Sequence, residues 1–193
     1  MKSIKKLGLA FFALAMFAGT SSFAQEKMMK KEQTKMVGGA EMYPSKDIVS
    51  NAVNSKDHTT LVAAVKAAGL VETLQSAGPF TVFAPTNAAF DKLPEGTVAT
   101  LLEPENKTKL QGVLTYHVLS GKFSAQDIMK AIKKGNGKAE FTTVNGAKLY
   151  AMMAGKDVML KDQQGNMATV TIADVNQSNG VIHVIDTVLM PGM

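Results

Sequence analysis

Three histidines, His58, His117 and His183, are the residues of this chain best suited to proton transfer or metal binding. An imidazole does catalytic work when a nucleophile and an orienting acid lie within hydrogen-bond reach. The sequence offers no frame for that: it has no G-x-S-x-G elbow, no H-E-x-x-H helix and no glycine-rich phosphate loop. His183 lies in mid-strand, with Val181 and Ile185 on its face and Asp186 on the other, the setting of a partly buried structural histidine. His117 follows Tyr116 among Val113, Leu114, Val118 and Leu119, where a tyrosine reads as a core aromatic with a satisfied hydroxyl. Three dispersed histidines without a cysteine cannot build the usual closed zinc site. The soft alternative is Met28, Met29, Met36 and Met42, thioethers suited to Cu(I), though irregularly spaced and without interleaved histidine. Met129, Met152, Met153, Met159 and Met167 fall on helix or strand positions and read as core gap-fillers. Acidic residues are scattered over turns and helix faces, so no carboxylate pair for glycoside hydrolysis stands out. The expectation is a chain with no catalytic residue, no cofactor and no resident metal.

Composition narrows the partners. All 21 basic residues are lysine, and bidentate recognition of phosphate and guanine favours arginine, so no nucleic-acid role is expected. Three of those lysines, Lys2, Lys5 and Lys6, precede an apolar stretch from Leu7 to Gly19, and Ser22-Phe23-Ala24 follows with small residues at a cleavage position. Residues 1–24 therefore read as a signal peptide, and the formal charge of +5 overstates the basicity of what remains. The apolar stretch is shorter than the roughly 20 residues that span a bilayer, so the chain is expected to be exported, secreted or periplasmic, and not membrane-spanning. There is no cysteine, hence neither disulfide nor N-terminal thiol for a lipid anchor. One hydrophobic core can carry a fold of this length without a staple. There is no tryptophan, so glycan recognition would run on Asn, Asp and Lys hydrogen bonds.

The elements that must position these side chains are legible from spacing and caps. Gln25 to Met42 is lysine- and methionine-rich, ends near Gly38-Gly39, and reads as a flexible tether. Asp47 to Asn54 and Thr59 to Ala68 have helical spacing, the second ending at Gly69. Phe80 to Phe83 is a short apolar strand stopped at Pro85, followed by Thr86 or Asn87 as the cap of a short helix. Two helices divide at Pro104, a short strand covers His117 to Leu119, and Ser124 with Asp127 forms a capping box for a helix to Lys134. From Ala139 the character changes to strands: Phe141 to Val144 and Lys148 to Met153 around Asn145-Gly146, then Val158 to Lys161, Ala168 to Ala173, and Val181 to Leu189. Helices first and an antiparallel meander afterwards make an α+β domain.

Two blocks carry a family resemblance: Gly78 to Pro94 (GPFTVFAPTNAAFDKLP) and Asn179 to Pro191 (NGVIHVIDTVLMP). Together they resemble the two signature boxes of the fasciclin domain, an extracellular adhesion module, and Tyr116-His117-Val118-Leu119 is similar to that family's central Tyr-His segment. The resemblance covers about Tyr43 to Pro191, and the domain is taken as residues 43–193. It implies a compact twisted β-sandwich or wedge flanked by several short helices. It also implies a non-catalytic role in attachment to cell-surface protein, matrix or polysaccharide, with self-association as a route to useful avidity. In animal fasciclin domains the Tyr-His segment is credited with adhesion, so Tyr116 and His117 become candidate binding residues beside their structural reading. An Asp-Ile dipeptide taken there as an integrin-recognition element matches Asp174-Val175 here, with Ala173 and Asn176 departing from the animal motif, and Asp174 reads equally as an ordinary turn residue ending a strand. The alternative function is an envelope protein that carries a small ligand or copper.

Overall fold

The computed structural model describes residues 33–192. The expected signal peptide and the first part of the expected tether lie outside the described residues. The described part begins with β1 (Lys35–Val37) and β2 (Ala40–Met42), an antiparallel pair turning on Gly38-Gly39, whose φ angles are 57° and 76°. A two-residue turn with both φ positive matches the twist of a hairpin. From Lys35 onward, then, the segment expected to be a tether is part of the domain. Val37 and Met42, each 2% exposed, enter the core, while Met36 stands outside. Composition concealed this because only two apolar side chains anchor so short a ribbon.

The helical half follows. Asp47 caps α1 (Ile48–Ala52), its carboxylate accepting from the Ser50 amide at 2.9 Å. After a 3-10 turn (Lys56–His58) comes α2 (Thr59–Ala68), closed by Gly69 in the left-handed region at φ 71°, then α3 (Val71–Gln75). β3 (Phe80–Pro85) leads to α4 (Asn87–Asp91), where Thr86 is the cap and accepts from the Ala89 amide. α5 (Thr97–Leu102), a 3-10 turn at Pro104–Asn106 and α6 (Lys107–Tyr116) complete this half. β4 (Val118–Ser120) and α7 (Ala125–Lys134), with the Ser124–Asp127 capping box formed in both directions, lead into the meander.

That meander is β5 (Lys138–Thr142), β6 (Lys148–Ala154), β7 (Asp157–Lys161), β8 (Met167–Gln177) and β9 (Gly180–Ile185). The strand order is β4-β3-β9-β8-β7-β6-β5, antiparallel throughout except for the parallel β3–β9 pair. Just past β5, the Val144 amide donates to the Val118 carbonyl of β4 at 2.8 Å, so the two ends of the sheet meet and it curls almost into a barrel. The α+β expectation is met.

Two buried clusters share the central strands. Val82 and Ala84 of β3 and Ile182 and Val184 of β9 face the helices, with Leu61, Val65, Leu110 and Leu114. Phe83 and Ile185 face the other way, with Tyr116, Leu119, Ile128, Ile132, Leu149, Leu160 and Leu189. Strands buried on both faces read as unbroken apolar runs, and for that reason β9 was expected to run on to Leu189. It stops at Ile185, although Val188 and Leu189 remain buried beyond it. Met129, Met153 and Met167 are not gap-fillers either: they are 39%, 38% and 36% exposed.

The β8–β9 hairpin places its tip against β3. Asn179 is 6% exposed; its Oδ1 accepts from the Ile48 amide and its Nδ2 donates to the carbonyls of Leu74 and Ser76. Its neighbour Gly180 has no room for a side chain, since a Cβ would lie 2.2 Å from the Phe80 carbonyl oxygen. Gly180→Ala is expected to cost about 2–4 kcal/mol because β3 and β9 must separate. Gly146→Ala, at φ 87° with open space around it, should cost only the left-handed strain of about 1–2 kcal/mol. Urea denaturation of the two variants checks the order, and equal losses would contradict it.

Candidate functional site

The end of α6 delivers Tyr116 and His117 into the interior, 0% and 3% exposed. The Tyr116 hydroxyl donates to the Lys148 carbonyl of β6 at 2.8 Å, and burial pushes its phenol up to about 12. His117 uses both ring nitrogens. Nδ1–H donates to the Val113 carbonyl one turn back at 2.8 Å, and Nε2 accepts from the Leu189 amide at 3.0 Å. An amide can only donate, so this imidazole is the neutral Nδ1–H tautomer. Burial holds its pKa down to about 4. The His117 carbonyl accepts from the Phe83 amide at 2.9 Å. One dipeptide thus joins α6, β3, β6 and the segment after β9.

A residue that the sequence reading passed over completes this node. Asp162, 2% exposed, accepts from the Asn166 amide and side chain and, at 2.9 Å, from the Met190 amide. Successive amides at Leu189 and Met190 are therefore held by His117 and Asp162. The spacing Asp162-x-x-Gly165-Asn166 is an Asx-type turn and was the available signal.

Asp174 and Val175 belong to a second node. Asp174 does not end a strand; it sits within β8, in a stretch where the register to β9 shifts, with φ at 55°. Its Oδ1 accepts from the Ala125 amide at 2.7 Å, in the first turn of α7, and its own amide donates to His183 Nδ1 at 3.3 Å. His183 is fully buried, stacked on Phe83 at 5.7 Å, and donates from Nε2 to the Phe123 carbonyl at 2.9 Å. Burial lowers its pKa, against the opposing pull of the Phe123 carbonyl and Asp174. Val175 is 1% exposed. Phe83 links the two nodes, its amide on His117 and its ring on His183.

His58 is also buried, with Nδ1 2.8 Å from the Ser55 hydroxyl, itself closed to solvent. Its Nε2 has no partner of ordinary hydrogen-bond geometry; burial lowers its pKa and the Ala84 backbone partly opposes that. Among the described residues no three His, Asp or Glu side chains converge as metal ligands. Of the four methionines considered for Cu(I), Met42 is in the core and Met36 on β1, while Met28 and Met29 lie outside the described residues.

An apolar cavity of about 80 Å³ lies in the helix-side cluster between α2, α3 and the central strands. His58 and His117 are in its wall; His183 is not.

The neutral histidines set a pH dependence. An unfolded imidazole protonates below 6.5, whereas His117 in the fold does so only near 4. Stability is therefore complete above pH 6.5 and declines as the pH falls from 6.5 to 4, by up to about 3 kcal/mol at ~1.4 kcal/mol per pH unit. His58 and His183 are shifted the same way and add to the slope. Urea midpoints measured from pH 7.5 to 4.5 check this, and a flat profile above pH 5 would refute it. His117→Gln should lower stability at pH 7.5 and flatten the curve.

Comparison with known proteins agrees with this architecture. The chain matches the fasciclin domain family over residues 56–191. It is 44% identical over 198 residues to protein sll1483 of Synechocystis, covering 100% of both chains. It is 37% identical to the immunogenic protein MPB70 of Mycobacterium bovis, over 72% of this chain and 66% of that one. To the cell surface glycolipoprotein MPB83 of the same species it is 36% identical, over 75% and 60%. Among solved structures, a FAS1 domain pair from the insect cell adhesion molecule fasciclin I superposes with a TM-score of 0.68 at 17% identity, covering 77% of this chain and 52% of that one. With these matches and the geometry above, the chain belongs to the fasciclin domain family.

Proposed function

We propose that the protein is a non-catalytic binding module that attaches a cell to another cell, to matrix or to polysaccharide. The observation that carries this reading is the fate of the groups that could do chemistry. All three histidines, the central tyrosine and Asp162 are buried inside the fold. What faces water includes the Lys130, Lys133 and Lys134 face of α7, beside single exposed apolar side chains such as Met129. Family membership and relatives named for the cell surface and for cell adhesion support the same reading. Export by the leader at residues 1–24 belongs to it, and among the described residues no helix is long and apolar enough to cross a membrane.

In this reading Tyr116, His117 and Val175 serve binding by positioning, since a partner cannot touch closed side chains. Asp174 sets the start of α7 and so the placement of its lysine face. One small domain offers one modest interface, so attachment gains from self-association or many copies.

The test is binding of the purified protein to intact cells and to a panel of matrix proteins and anionic and neutral polysaccharides. Saturable binding is expected, weakening as salt rises if the α7 lysines contribute. Reversing Lys130, Lys133 and Lys134 to Glu should lower attachment to anionic polysaccharide by at least about tenfold, ~1.4 kcal/mol, with circular dichroism unchanged. Asp174→Asn, tolerated at positive φ, should leave the fold intact. No saturable binding to any member of the panel would end this reading.

A further inference from the structure

We propose that the 80 Å³ cavity receives the end of the aliphatic chain of a fatty-acid-like amphiphile, with its carboxylate at Lys66. This goes beyond attachment and concerns a different part of the molecule. Protein interiors are packed as densely as organic crystals, and voids larger than a water molecule are few. Here the space opens where Leu61, Val65, Val82, Leu114 and Ile182 converge, in the cluster that otherwise forms the helix-side core. An apolar cavity stays dry and takes apolar guests: an engineered one of roughly 150 Å³ binds benzene. The present cavity is about half that size, which suits the slender end of an alkyl chain better than a ring.

The cavity also has a way in. Its wall includes half-buried Val62, Leu70, Val71 and Phe80, together with exposed Thr73 and Val144, so it reaches the surface between α2, α3 and the β5–β6 turn. A methylene chain could therefore lie from the interior to the rim without leaving apolar contact. His58 and His117 in the wall are kept neutral near pH 7 by burial, and add no charge that would repel it.

The rim supplies the other half of the recognition. Lys66 lines the cavity one turn after Val62 on α2 and is exposed. None of the ion pairs formed among the described residues involves it. The Lys107 ammonium approaches the Gly69 end of the same helix, 3.5 Å from where a Cβ would stand. An aliphatic interior lined in part by an exposed lysine that forms no ion pair is complementary to an anionic amphiphile, whose carboxylate at the rim would meet the Lys66 ammonium in a charge-assisted contact.

The experiment is a titration of the purified protein with a conjugated, fluorescent fatty acid below its micelle concentration, followed by displacement with a saturated fatty acid and with the alcohol of equal chain length. One saturable site is expected. Val62→Phe, at a half-exposed wall position where folding is retained, should weaken the acid and the alcohol alike by at least tenfold, about 1.4 kcal/mol. Lys66→Glu should weaken the acid by a similar factor and leave the alcohol unchanged. Thermal melts establish that both variants are folded. Absence of saturable binding by the wild-type protein overturns the proposal, and so does binding that Val62→Phe leaves untouched, which would mark adsorption elsewhere. Equal loss of acid and alcohol in Lys66→Glu overturns the assignment of the carboxylate to Lys66. Val62→Phe should not alter attachment to the cell and polysaccharide panel, so this site and the attachment reading stand or fall separately.

Discussion

Burial of two adjacent parallel strands on both faces is the constraint around which this molecule is built. β3 and β9 run side by side through the centre, and their residues alternate between a helix-side and a sheet-side cluster. Neither face is left for water, so every polar group in these strands must find its partner inside the protein. Such burial explains why the few polar side chains here are so fully engaged. Thr81 receives the Phe123 amide and donates to the Gly121 carbonyl. His183 takes the Asp174 amide and gives its other nitrogen to Phe123. Asn179 satisfies three backbone groups from α1, α3 and the turn after it. Remove any one and its backbone partners become buried and unpaired, at about 1–3 kcal/mol each.

Histidine suits this work because a neutral imidazole is a donor on one side and an acceptor on the other, in a rigid plane. His117 and His183 use opposite tautomers, fixed by what each nitrogen meets: a carbonyl at Nδ1 of His117, an amide at Nδ1 of His183. Each spans two elements that no backbone ladder joins. Low pKa values at such positions are the electrostatic signature of a bridging role in an apolar setting, where desolvation outweighs the neighbouring carboxylates. Perturbed titration often marks catalytic sites, but here each shift has a structural cause, burial of a ring that bonds backbone groups on both sides. The family's recognised Tyr-His segment is therefore best understood first as the clasp that holds the chain after β9 against α6.

Much of the helical half was legible because its signals are local. Asp47, Thr86, Ser124 and Gly69 each do within four residues what their types dictate, and all four end or begin helices as read. Phe80 to Phe83 and the apolar run from Val181 were legible as buried strands, yet their parallel pairing was not, since it depends on neighbours about a hundred residues apart. The end of β9 was misread for the same reason: Val188 and Leu189 are apolar because His117 and Asp162 draw them inward, not because they continue a strand. The early hairpin and the bulged continuation of β8 past Ala173 were missed where composition misled. Gly38-Gly39 reads as linker and Asp174 as turn, whereas the two glycines turn the β1–β2 hairpin and Asp174 takes left-handed backbone within β8.

The two clusters flanking the central strands are not equivalent, and the difference follows from what covers them. On the sheet side, α7 lays Ile128 and Ile132 against the inward residues of β5, β6 and β7, and Tyr116, Leu149, Leu160 and Leu189 are sealed completely. On the other side several short helices and a three-residue ribbon must cover the same strands. The cavity lies where α2 and α3 meet those strands. His117 stands at the border of the two clusters: its ring holds the Leu189 amide of the sheet-side cluster, and it also lines the cavity beneath α2 and α3.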